Sequence, residues 1–291
     1  MEGPDDPGHS AGYELIDAGV RRRLERFGML TIDRPSPGAE RFRLAPEGWA
    51  DADLRFDAGS GWSGPAWPAE PWLVDVDGLT MELRATASGG VGLYPEHAAN
   101  VSWLTTQVAA LAAPSGSSPE PRDPPSVLNL FAHTGLATLA LARAGAAVAH
   151  VDGARSAVTW ARRNAELSRL TGRPVRWLVD DAATFVAREA RRGRRYDGIV
   201  LDPPSFGRAN GREWRLEEDL PALLAACRSV AAPSAFVLLT AHSESVDGTA
   251  LAAMLRSAFG GHAQSIEVVP LELTATSGAR LAQGCAVRRG S

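Results

Sequence analysis

From residue 126 onward, apolar runs of five to seven residues alternate with amphipathic stretches in a repeated order of strand, turn and helix. Strands are predicted at VLNLF (127–131), AVAHVD (147–152), VRWLV (175–179), DGIVLD (197–202), AFVLLT (235–240), SIEVVPL (265–271) and GCAVRR (284–289). Helices are predicted over 136–143, with Gly145 as the stop, and over 154–170, with Val158, Ala161 and Ala165 on one face. Two more fit 219–231, with Pro221 in the first turn, and 248–259 behind Asp247 as N-cap. The first four strands are almost wholly apolar, as parallel strands covered on both faces should be. Only TATSGARLAQ separates the last two strands, too little for a parallel crossover, so they pair antiparallel. The predicted fold class is α/β: a doubly wound, mostly parallel seven-stranded sheet with a reversed final hairpin.

Upstream the pattern is different. Residues 13–90 carry short apolar pieces (13–16, 29–32, 72–76, 79–83) punctuated by Gly and Pro, which predicts a small β-rich N-terminal region. Trp49, Trp62, Trp67 and Trp72 fall here and are expected to form its core. Residues 1–12 read as a disordered tail. A helix fits 95–112, and PSGSSPEPRDPP (114–125) reads as a linker, so 91–125 joins the β-rich region to a domain over 126–291.

Composition adds exclusions. The chain has 291 residues, 45% of them hydrophobic, which is enough for a sizeable core. Thirty basic and 34 acidic side chains give a net charge of −4, which excludes a uniformly basic nucleic-acid surface but not a local patch. Every basic residue is Arg and none is Lys, so side-chain amine chemistry is excluded. The two cysteines, Cys227 and Cys285, are far apart, and no Cys/His cluster suggests a metal. No run of 18 apolar residues and no signal peptide are visible, so a reduced, cytoplasmic protein is expected.

In open α/β sheets, ligands bind beyond the carboxyl ends of the strands, so the residues there are the candidates. Strand one runs into Phe131-Ala132-His133-Thr134-Gly135, small enough to let backbone approach a ligand at a helix N-terminus. A dinucleotide fingerprint would need three spaced glycines; this loop has one. Strand two ends in Asp152, suited to the two hydroxyls of a ribose or, alternatively, to capping the following helix. Strand three ends in Asp180-Asp181-Ala182, where a carboxylate could meet an adenine amine or cap a helix. Strand four ends in Asp202-Pro203-Pro204-Ser205-Phe206. Two prolines stiffen this turn, its carbonyls can accept hydrogen bonds, and Phe206 can stack on a planar ring. The same Asp-Pro-Pro at 123–125 precedes strand one and reads as spacer. His242, after strand five, reads as exposed rather than as a base, because no carboxylate is near it in sequence.

Taken together, VLNLFAHTG, VDGARSAVTWARRNAEL, VDDAATFV, YDGIVLDPPSFGR and, upstream, GVGLYPEHAANVSWL resemble the class I S-adenosylmethionine-dependent methyltransferases. More narrowly they resemble the bacterial large-subunit rRNA methyltransferase-like family that carries Asp-Pro-Pro-x-Phe. The resemblance covers roughly residues 90–245. It implies S-adenosyl-L-methionine as cofactor, with Phe131, Ala132, His133, Thr134 and Gly135 at its amino-acid end, Asp152 on the ribose, and Asp181 and Ala182 at the adenine. It also implies that Asp202, Pro203, Pro204 and Phe206 sit between sulfonium and acceptor, and that Pro95, Glu96 and His97 form a lid. Members that methylate carbon 5 of cytosine use a Cys nucleophile after strand five or in the strand-four motif, places that here read Ala241-His242-Ser243 and Pro203-Pro204-Ser205.

The expected function is therefore methyl transfer to a nitrogen or oxygen atom, with RNA as the suspected partner and no membrane or metal partner. Arg208, Arg212 and Arg215 follow Phe206, where an RNA backbone would pass; Arg188, Arg191, Arg192, Arg194 and Arg195 read as a solvated helix end. The alternatives are a small-molecule or protein acceptor, a non-catalytic cofactor-binding scaffold, and a nicotinamide dehydrogenase.

Overall fold

Seven strands form the larger sheet of the computed structural model, in the order Val175–Val179, Ala147–Asp152, Ser126–Leu130, Tyr196–Leu201, Ala231–Ala241, Arg280–Arg289, Ile266–Thr274. The structure describes residues 12–68, 70–113, 123–209, 212–243, 246–260 and 266–290, without the side chains of 208, 209 and 212. The tail 1–11 and most of the expected linker, 114–122, lie outside the described residues. By its contacts the chain divides into two units: residues 1–98 with 272–283, and residues 99–271 with 284–291.

The strands of this sheet are β8 (Ser126–Leu130), β9 (Ala147–Asp152), β10 (Val175–Val179), β11 (Tyr196–Leu201), β14 (Ala231–Ala241), β15 (Ile266–Thr274) and β16 (Arg280–Arg289), the last two running on at 272–274 and 280–283 into the smaller unit. The first five run parallel to their neighbours, whereas β16 lies antiparallel to β14. The reversed hairpin is thus present, with its last strand inserted beside β14. Side chains alternate across the sheet with period two. Leu128, Leu130, Ile199, Leu201, Val237 and Leu239 face a core shared with α4 (Ala182–Arg191), α5 (Leu216–Val230) and α6 (Gly248–Phe259). Val127, Val148, Val200, Phe236 and Leu238 face the other core, with α1 (Ala98–Ala112) and α2 (Leu136–Arg143). Phe236 reaches across to Gly198 on β11, where an added Cβ would lie 2.2 Å from its ring. Gly198→Ala is therefore expected to destabilise the protein by about 1–3 kcal/mol through overpacking, measured by denaturant unfolding.

Three expectations for this region need correction. Strand β10 is not covered on both faces: it is the sheet edge, and its burial alternates weakly. Helix α5 starts at Leu216, so Pro221 lies inside the helix rather than in its first turn. The Asp219 carboxylate accepts the Arg215 N–H at 2.8 Å and secures that earlier start. Predicted only as part of 95–112, the helix there is a 3-10 turn, Pro95–His97, followed by α1.

The smaller unit holds a five-stranded sheet, β1-β2-β3-β4-β5, and a separate hairpin of β6 (Trp72–Val76) and β7 (Leu79–Leu83). β1 (Tyr13–Gly19) and β3 (Leu30–Pro35) were legible; β2 (Arg22–Phe27), β4 (Leu54–Asp57) and β5 (Gly61–Ser63) were not. The reason is chemical. β2 reads RRLERF, and two of its charged positions, Arg23 and Glu25, are interior while Arg26 is exposed: Glu25 has Arg34 Nε at 2.5 Å and Arg23 Nε at 3.2 Å from its carboxylate, and Tyr13 donates to it at 3.1 Å. Trp49 and Trp72 are in the core as expected, but Trp67 is 59% exposed. Residues 272–283, the tip of the last hairpin, add Ala275 and Leu281 to a cluster with Leu15, Ala18 and Ala39.

Candidate active site

The carboxyl ends of β8, β9, β10 and β11 border a cavity of about 550 Å³. Of the loop after β8, Phe131 lines it and Ala132, His133, Thr134 and Gly135 do not; in this loop Phe131 (φ 55°), His133 (φ 47°) and Gly135 (φ 95°) all have left-handed backbone within five residues. Only glycine adopts that region freely, so the two non-glycine positions carry strain that their surroundings must hold. The restraints are visible. Asp152 Oδ2 accepts the His133 N–H at 2.8 Å, and Asn164 Nδ2 donates to the Thr134 carbonyl at 2.9 Å. An added Cβ at Gly135 would lie 3.1 Å from Ala161 Cβ, so the loop packs directly onto α3 (Arg155–Leu167). Beneath it, Asn129 donates to Thr138 Oγ1 at 2.8 Å, which lies 2.9 Å from Nδ1 of the buried His150. Burial, and then His133, push the His150 pKa down to about 3, so this ring stays neutral at physiological pH. His150 was not singled out from sequence, because a His inside an apolar strand gives no pattern of its own.

Asp152 lines the cavity and does not cap α3, whose N-cap is Ala154. Its second oxygen, Oδ1, accepts the Ala154 N–H at 2.8 Å, so one carboxylate ties the loops after β8 and β9 together. Asp181 does cap α4, accepting the Thr184 N–H at 2.8 Å, while it and Ala182 also line the cavity. Asp180 is occupied by Arg188. Arg191, Arg192, Arg194 and Arg195 are exposed, as expected of a solvated helix end, and Arg192 pairs with Glu189; Arg188 is the half-buried member.

Of the strand-four turn, Pro204 lines the cavity and Pro203 is buried; Phe206 is 53% exposed and does not line it. The carbonyl of Pro204 is already taken: Trp214 Nε1 donates to it at 2.7 Å. Trp214 also packs against Phe131, with ring centroids 5.4 Å apart. It stands on a two-stranded hairpin, β12 (Phe206–Ala209) and β13 (Arg212–Arg215), that the sequence reading missed. Asn210-Gly211 between alternating positions was the available signal. Arg215 lies 3.6 Å from Glu213; the side chains of Arg208 and Arg212 lie outside the described residues.

His242 needs a correction. A carboxylate distant in sequence stands beside it: Asp202 Oδ1 lies 3.4 Å from His242 Nε2, and the ring is half-buried rather than exposed. Pro95, Glu96 and His97 belong to the smaller unit, where Pro95 and Glu96 are buried and His97 packs edge-on to Tyr94. Cys227 is buried on α5, and burial pushes its thiol up to about 12; Cys285 is raised by burial and by Asp247.

No family model matches the chain. A ribosomal RNA large subunit methyltransferase K/L from Syntrophotalea carbinolica is 39% identical over 93 residues, 32% of this chain and 13% of that protein. A ribosomal RNA large subunit methyltransferase I from Aeromonas salmonicida is 26% identical over 162 residues, 55% of this chain and 35% of that protein. The chain thus spans only a fraction of these relatives. The solved structure of the SAM-dependent methyltransferase from Agrobacterium tumefaciens matches end to end: 31% identity, TM-score 0.85, 100% of this chain and 98% of that one.

Proposed function

Because this chain belongs to the S-adenosylmethionine-dependent methyltransferases, we propose that it moves a methyl group from that cofactor to a nitrogen or oxygen atom of RNA by direct in-line transfer. The observation that carries the proposal is the cavity of about 550 Å³ at the strand ends, with Asp152 on its wall. Its volume falls in the range of about 300–1,000 Å³ that encloses small-molecule ligands. The donor set fits as well. Each Asp152 oxygen spends one lone pair on a backbone N–H and retains another for a ribose hydroxyl. Exposed Val179 beside Ala182 and Ala183 offers an apolar wall to a planar base.

On this proposal Asp152 holds the ribose, Asp181 and Ala182 meet the adenine, and Phe131, Ala132, His133, Thr134 and Gly135 line the amino-acid end. When bound, the cofactor supplies a methyl group activated by its sulfonium. The chain then has to position the acceptor and exclude water. Pro203 and Pro204 hold the turn rigid, Asp202 accepts a hydrogen bond from the acceptor, and Phe206 stacks on its ring. Neither cysteine offers a thiolate, which argues against covalent activation of a pyrimidine carbon. Cys227→Ala should therefore leave the transfer rate within about twofold, measured with radiolabelled cofactor.

RNA as acceptor, in the cytoplasm, is supported by the names of the partial relatives. Mass spectrometry of ribosomal RNA nucleosides from a deletion strain tests it: one methylated nucleoside should disappear. An unchanged profile, with label entering protein or small molecules instead, moves the acceptor to those classes. Binding of S-adenosylhomocysteine without transfer to any fraction leaves a scaffold.

A further inference from the structure

The apolar lining of the cavity converges from separate elements. Ala182 and Ala183 come from α4, Ala222, Leu223 and Ala226 from α5, and Trp214 from the hairpin of β12 and β13. Trp214 is held on two sides. Its Nε1–H donates to the Pro204 carbonyl at 2.7 Å, and its ring lies 5.4 Å from that of Phe131 at an interplanar angle of 51°. The one donor of the indole is therefore engaged, and what it offers the cavity is carbon surface and a π face. The hairpin is also fastened to the strand-four turn. The Leu216 N–H donates to the Ser205 carbonyl at 3.1 Å. Gly207 is the cross-strand partner of Trp214, and an added Cβ there would meet Pro204 Cγ at 3.5 Å. Asp152, the proposed ribose ligand, lies on the wall of the same cavity, whereas Ala132 to Gly135 lie outside its lining. The cavity thus suits the nucleoside half of the cofactor: small side chains leave room for a base, and one aromatic ring covers it.

We infer that Trp214 stacks on the adenine ring of the cofactor and, through its hydrogen bond to the Pro204 carbonyl, makes the acceptor turn rigid when the cofactor is in place. This rests on the methyl-transfer function proposed above and adds an order of binding to it, cofactor before acceptor. Stacking on an indole face needs no hydrogen bond from the ring, so the donor can be committed to Pro204. A base seated against the indole removes its freedom to tilt. The N–H then holds the carbonyl in one place, and with it the turn from Asp202 to Phe206. Trp214 touches the cofactor but acts on the acceptor only through Pro204, so towards the acceptor it is a positioning residue. A Phe ring in its place keeps the stacking surface and loses the link, because it has no N–H.

Three measurements on the full chain test this with S-adenosylhomocysteine and no acceptor. In calorimetry Trp214→Leu should bind about 10- to 100-fold more weakly, the span of a lost base–aromatic stack, and Trp214→Phe should stay within about fivefold of wild type. Binding should quench tryptophan emission in the wild type, and Trp214→Phe should lose most of that quenching while it still binds. Amide hydrogen exchange across residues 205–216 should slow about fivefold or more on binding in the wild type, and Trp214→Phe at equal saturation should show less than about half of that slowing. Should the leucine variant fail to fold, quenching and exchange in the phenylalanine variant decide. Wild-type affinity in Trp214→Leu, or full quenching in Trp214→Phe, would take the base away from Trp214 and overturn the inference. Exchange unaffected by binding in the wild type, or slowed as much in Trp214→Phe, would overturn it by breaking the link to the turn. Failure of the wild type to bind S-adenosylhomocysteine would sink the methyltransferase function itself.

Discussion

Asp152→Ala lowers the affinity for S-adenosylhomocysteine about 10- to 100-fold in calorimetry, the span of roughly 1.5–3 kcal/mol for hydrogen bonds to a charged group. Two losses combine. The proposed ribose contacts vanish, and the His133 and Ala154 N–H groups lose their shared acceptor, which releases a loop that holds two strained residues. Asp152→Asn separates the two: its amide oxygen serves one N–H while its NH₂ opposes the other, so its effect should be intermediate. The free protein should lose only about 1–2 kcal/mol of stability, because both N–H groups lie at partly exposed positions where water can replace the carboxylate. Affinity unchanged in the alanine variant would remove Asp152 from the cofactor site.

Glu25→Ala costs about 3–5 kcal/mol in denaturant unfolding, a loss that a marginally stable protein barely survives. The carboxylate is fully buried between Arg23 and Arg34, and its removal leaves both guanidinium groups confined with their charge uncompensated. Burial by itself opposes ionisation of Glu25, but the two arginines outweigh it and hold the carboxyl below its ordinary value. A depressed folded pKa fixes the sign of the pH dependence. The stabilisation is complete above the unfolded carboxyl pKa, about 4.3, and is lost as pH falls through the lower folded value. Acid titration of the wild type should show this loss, and the alanine variant should lack it. Replacing the whole set with apolar residues of similar volume would be far milder than removing one member.

The larger sheet was legible because its strands are short apolar runs and its helices carry caps or stops: Asp247 at α6 and Gly145 after α2 both act as expected. The connection TATSGARLAQ was enough to show that the last strands reverse. The β-rich unit was half legible, because burying Glu25, Arg23 and Arg34 together inverts the usual code in which charge marks the surface. At the candidate site, the strand-end positions of Asp152, Asp181, Ala182 and Pro204 were readable, since topology alone puts them on one rim. Three things were not. Trp214 reaches the cavity only through a hairpin whose Asn-Gly signal sits inside a charged stretch. The pairing of Asp202 with His242 depends on β11 and β14 being adjacent, which no sequence distance conveys. Phe131 and His133 take left-handed backbone that only tertiary restraint can impose.

The hairpin tip at 272–283 also dictates the order in which the protein can be made. The N–H groups of Thr276 and Ser277 donate to the carbonyls of Leu15 and Ile16 at 2.9 and 3.0 Å, and Ser277 Oγ donates to Asp17 at 2.8 Å. Strand β1 leaves the ribosome well before these partners, which are synthesised some 260 residues later. The β-rich sheet must wait, incomplete, until residues 276 and 277 have been made. A genetic dissection that cuts the chain once, between residues 98 and 99, yields one fragment missing its closing tongue and another bearing that tongue with nothing to grasp.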